Sequence, residues 1–96
     1  MKLADKIKTH HLAIIKVVEA NNTLYPRVIR DSFNGYELDD SYLNIVVDRT
    51  SEFTPSDIRN IQRQLEALLE VSVDVITPNL LPDNLREKIL AEATVI

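Results

Sequence analysis

Oxygen-bearing side chains that could share a cation or a proton gather in one stretch of this chain, Arg30 to Asp48, which reads RDSFNGYELDDSYLNIVVD. Glu37, Asp39 and Asp40 crowd a polar turn, and Asp48 closes the apolar run that follows. A further aspartate, Asp74, lies in a second such run, VSVDVITP. Carboxylates of this kind suit hard divalent cations, but a loop site needs more donors at fixed spacing, and no EF-hand pattern is present. The ordinary expectation for Asp39 and Asp40 is therefore a solvated turn. Asp48 and Asp74 lie on or at the end of strands; strand ends are where functional carboxylates occur and where aspartates also cap, turn or face water.

Other chemistries find little support. His10 and His11 are the two histidines, and adjacent helical side chains diverge by about 100°, so they do not converge on one ion. The H-E-x-x-H spacing of helical zinc sites is absent. There is no cysteine, which excludes disulfides and thiolate metal sites. A single glycine, Gly35, rules out a glycine-rich phosphate cradle. The net charge is −4, and the lysines and arginines are scattered, so the concentrated positive footprint of a nucleic-acid binder is missing. A basic partner surface is the more natural match for this charge.

The elements that must position these residues follow from periodicity. Leu3, Ile7, His11, Ile14 and Val18 recur at helical spacing over residues 3–20, with Leu12 and Ile15 widening the stripe, and ANNT stops that helix. LYPRVI, residues 24–29, reads as a strand in which Pro26 removes a ladder donor, which places it near the strand's start or on a sheet edge. YLNIVVD, residues 42–48, is the clearest strand: Leu43, Ile45 and Val47 alternate on one face, and Val46 covers the other. Thr54, Pro55 and Asp57 are N-cap, first position and third position of a helix whose stripe is Ile58, Ile61, Leu65, Leu68 and Leu69. VSVDVITP supplies another alternating strand. PDNLREKILAEA, residues 82–93, supplies a last helix with Leu85, Ile89, Leu90 and Ala93 inward. Helices alternating with strands predict an α/β or α+β fold in which helices pack on a small mixed sheet. The 96 residues, 45% of them hydrophobic, suit one domain spanning 1–96 with a modest core. No apolar run is long enough for a membrane span, and a cytoplasmic protein is expected.

Together these segments resemble the minimal nucleotidyltransferase (MNT) family, small proteins often encoded beside a HEPN-type toxin. PRVI opening into the turn with Gly35, SYLNIVVD, VDVITP after an amphipathic helix, and LPDNLREKILAEATVI carry the likeness, and the first helix also fits. The resemblance implies a nucleotidyltransferase-like fold. In active members a Gly-Ser pair precedes, by ten residues, an Asp-x-Asp on a strand. Alternate strand residues share a face, so the two carboxylates aim at one point. With a third aspartate from a neighbouring strand they hold two magnesium ions, about 3.5–4 Å apart, that position a triphosphate. On that pattern Arg30 and Asp31 fall where Gly-Ser belongs, and Ser32 to Ser41 preserve the spacing. Tyr42 and Asn44 fall where the paired aspartates belong, and Asp74 alone matches the third.

The resemblance thus implies a scaffold without its metal chemistry: a pseudoenzyme, with no cofactor expected, acting by protein contact. Its expected partner is a HEPN-type RNase toxin, for which it would serve as antitoxin, or a paralogous nucleotidyltransferase that it would regulate. Homo-oligomerisation is compatible with the sequence. The alternative is an active enzyme that transfers AMP from ATP to a toxin hydroxyl with magnesium. The apolar tail ATVI could serve a partner interface or pack on the protein's own sheet.

Overall fold

The computed structural model describes residues 2–29, 42–78 and 81–96. The chain runs α1 (Leu3–Thr9), α2 (His11–Ala20), β1 (Thr23–Ile29), β2 (Tyr42–Arg49), α3 (Pro55–Leu69), β3 (Ser72–Ile76), α4 (Asp83–Glu92) and β4 (Ala93–Val95). The expected α+β architecture is present. Two elements depart from expectation: the first helix is divided at His10, and the tail forms a strand.

The division at His10 redirects the apolar stripe. His11 does not join the core; it is exposed, and its Nδ1–H donates to the Lys8 carbonyl at 3.1 Å, capping the end of α1. Leu12 is likewise exposed, whereas Leu3, Ile14 and Val18 are fully buried. Asn21 ends α2 as its composition predicts: Nδ2 donates to the Val17 carbonyl at 2.7 Å and to Gln64 at 2.9 Å.

The sheet has the order β3-β2-β1-β4. β1 is antiparallel to both neighbours, and β2 and β3 are parallel. Pro26 therefore lies in an internal strand, not at an edge. A bulge resolves the conflict: Leu24 pairs with Asp48 and Arg27 with Val46, so β1 has one residue more than β2 between those pairs. Tyr25, before the proline, takes a φ of 57°, a conformation disfavoured for a side chain of its size. Pairing with β4 starts at Arg27, just beyond the missing donor.

Alternation on β2 sorts the molecule into layers. Leu43, Ile45 and Val47 face α1, α2 and α3, joining Ile14, Ile61, Leu65 and Leu69 in the main core. Val46 faces the opposite side, where it packs with Ile29 and Ile89 of α4. That second patch is small because polar residues fill the rest of the face. Leu85 and Leu90 accordingly stay more than a third exposed, and of the last helix only Ile89 is buried, a correction to the inward set expected from the sequence. Residues 93–95 lie on β1 as β4, with Ile96 packed against the main core. The tail thus packs on the protein's own sheet. Among the described residues, no helix is long and apolar enough to cross a membrane.

α3 starts at the expected N-cap, Thr54, where Thr54 and Asp57 form a capping box. Asp57 Oδ2 accepts the Thr54 backbone N–H at 2.8 Å and the Asn22 amide at 3.2 Å, tying the helix to the α2–β1 turn. The Thr54 backbone N–H is the main reason that the Asp57 carboxyl sits below the usual carboxylate range; burial opposes this, and the Asn22 amide and Thr54 hydroxyl reinforce it. A carboxyl with a lowered native pKa stabilises the fold above its unfolded pKa, and that stability is lost as pH falls through the folded one. Replacing Asp57→Asn should therefore lower the melting temperature at pH 7, and the gap from the parent protein should narrow as pH drops below the carboxylate range. Thermal melts across pH 3–8 check this. Leu65→Ala, in the main core, should cost about 2–5 kcal/mol in urea denaturation.

Candidate functional site

The face of the sheet that carries α4 gathers the residues the sequence singled out. Tyr42, Asn44, Val46 and Asp48 alternate along β2 on this side, opposite to the buried Leu43, Ile45 and Val47. The parallel register with β3 sets Tyr42 beside Ser72 and Asn44 beside Asp74. Neighbouring strands lie about 4.8 Å apart, so Asn44 and Asp74 are within side-chain reach of each other. Both are half-buried, and Tyr42 at the open end is 42% exposed.

Tyr42 and Asp74 are electrostatically linked. Desolvation raises the Tyr42 phenol above its ordinary pKa, and the neighbouring Asp74 carboxylate pushes it further the same way, through its charge and by accepting the hydroxyl's hydrogen bond. The phenol thus remains a neutral donor.

Asp48 shares the face but not the site. It lies four residues along β2 from Asn44, roughly 13 Å away at 3.3 Å per residue. Its Oδ1 accepts from Arg27 Nη2 at 2.7 Å, an ion pair across the β1–β2 ladder. Asp48 and Asp74, both expected as candidates on or at the end of strands, are therefore not brought together. Arg27 was not legible as a partner, because the pairing depends on a bulge that no local signal places.

Arg30, Asp31, Gly35, Glu37, Asp39 and Asp40 lie outside the described residues. Among the described residues, no three His, Cys, Asp or Glu side chains converge to hold a metal. Tyr42, Asn44 and Asp74 offer one carboxylate, one amide oxygen and one phenol. Two magnesium ions with a triphosphate need several anionic oxygens, and this donor set does not fit them. His10 and His11 take no part in this site: His11 faces a groove of about 550 Å³ on the other side of the sheet, shared with Lys8, Val28 and Val95.

Comparison with known proteins agrees with this architecture. No family model matches the chain, and no curated protein does. Among solved structures, a presumed minimal nucleotidyltransferase is 27% identical and superposes with a TM-score of 0.83 over 100% of this chain and 97% of its own. A complex of tri-AMPylated HEPN toxin with MNT antitoxin from Shewanella oneidensis matches at 13% identity and a TM-score of 0.67, covering 92% of this chain and 69% of that one. A toxin–antitoxin structure with AMP-PNP matches at 15% identity and a TM-score of 0.65, over 85% and 68% of the two chains. The last two likenesses are of fold, whereas the first spans both chains almost end to end. That nearly end-to-end match gives this chain the fold of a minimal nucleotidyltransferase and supports its membership of that family.

Proposed function

We propose that this protein uses a nucleotidyltransferase scaffold for binding rather than for catalysis, as an antitoxin-type partner of a HEPN RNase toxin or as a regulatory subunit of a paralogous nucleotidyltransferase in the cytoplasm. The observation that carries the reading is the pairing of Asn44, not an acid, with Asp74 across the parallel strands. A lone carboxylate gives two dications too little negative charge to gather around a triphosphate. The fold supports the partner class, since relatives of the same architecture are found in toxin–antitoxin complexes.

A second reading is favoured by a specific likeness: one of those complexes carries a tri-AMPylated toxin. On that reading the protein would transfer AMP from ATP to a toxin hydroxyl with magnesium, and donors other than Tyr42 and Asn44 would have to hold the metal.

Thermal denaturation with and without magnesium and ATP separates the two. A ligand at a hundred times its Kd stabilises by about 2.7 kcal/mol. The parent protein should show no shift, and a magnesium-dependent rise in melting temperature would overturn the binding-only reading. The double variant Tyr42→Asp with Asn44→Asp restores paired acids beside Asp74 and should gain magnesium-dependent nucleotide binding by the same assay. When the protein is co-expressed with the HEPN-type toxin of its native host, intact mass measurement should find the toxin bound and without added AMP.

A further inference from the structure

The feature left unexplained is why a half-buried carboxylate remains at position 74 if no metal is held there. Asp48, on the same face, shows how this chain treats a comparable acid: Arg27 meets it at 2.7 Å. Among the described residues, no cation pairs with Asp74. Around it stand three groups of complementary character: the carboxylate itself, the Asn44 amide in register with it, and the Tyr42 ring, 42% exposed and two residues along the same face of β2 from Asn44.

A planar guanidinium satisfies all three at once. It forks onto a carboxylate, donates to an amide oxygen and stacks on an aromatic face. Magnesium would find too few anionic oxygens here, and a phosphate would be repelled by Asp74. The overall charge of −4 favours an approaching basic surface. We propose that Tyr42, Asn44 and Asp74 form a receptor for an arginine side chain presented by the protein partner, which takes the place that a metal ion would hold between these strands. The inference rests on the binding-only reading above and names the chemistry by which the partner is recognised.

L-argininamide is the probe, titrated into the 15N-labelled protein and followed by NMR. The backbone amides of residues 42–46 and 72–76 should shift saturably. L-lysinamide, of equal charge but without the planar fork, should bind several-fold more weakly. Asp74→Asn should abolish the response, and Asn44→Leu should weaken it several-fold; the spectrum of each variant without ligand verifies its fold. Tyr42→Phe should keep most of the affinity and Tyr42→Leu should lose it. Absence of a saturable shift at these strands, or an undiminished shift in Asp74→Asn, overturns the proposal. A final arm separates the two readings: displacement of argininamide by magnesium and ATP overturns both, whereas silence from every ligand removes the arginine receptor alone.

Discussion

The parallel pairing of β2 with β3 is the constraint on which the rest of the molecule depends. In a parallel ladder the residues in register present their side chains to the same face, so one choice of register decides both the core and the site. With Leu43 beside Val73 and Ile45 beside Val75, the apolar sets meet the helical layer together. The same register necessarily sets Asn44 beside Asp74 on the reverse. A slip of one residue would turn Val73 and Val75 away from the core, so packing energy holds the polar positions in place. The positions facing α4 are thus fixed by the core and not by the side chains that occupy them.

The helices enforce that pairing from the side. Val73 turns its backbone away from β2, where Glu66 Oε2 accepts its N–H at 3.1 Å and Gln62 Nε2 donates to its carbonyl at 3.3 Å. These bonds from α3 occupy part of β3's outer edge and discourage further strands from adding there. At the other end of α3, Asn22 joins three elements. Its carbonyl accepts from the Thr50 backbone and hydroxyl after β2, and its amide meets the Asp57 cap. Asparagine tolerates the left-handed φ of 58° that this junction requires.

Much of this was legible in the residues. Alternation in YLNIVVD marked which side of β2 faces the core, and the Thr54–Pro55–Asp57 signature marked the start of α3, because both patterns are local. The layout of the site was legible in outline, since Tyr42 and Asn44 share a strand face whatever their partner. What resisted reading was set by contacts distant in sequence. Pro26 argued for an edge, yet β1 is internal: a bulge accommodates the proline in the pairing with β2, and β4 pairs from Arg27 onward. The last helix looked amphipathic over Leu85, Ile89 and Leu90, yet the apolar surface awaiting it, Ile29 and Val46, buries Ile89 alone of the three. The break at His10 has no breaker residue to announce it.

The placement of β4 carries a topological consequence. Among the described residues, this three-residue strand, paired with residues distant in sequence, is the strand that covers β1 on the side away from β2. Were residues 93–96 lost or displaced, Arg27 to Ile29 would present bare amides and carbonyls, a ready template for another chain. The cover on that stretch of β1 is thus only three residue pairs long, and any binding event that draws residues 93–95 away also unmasks a sticky flank.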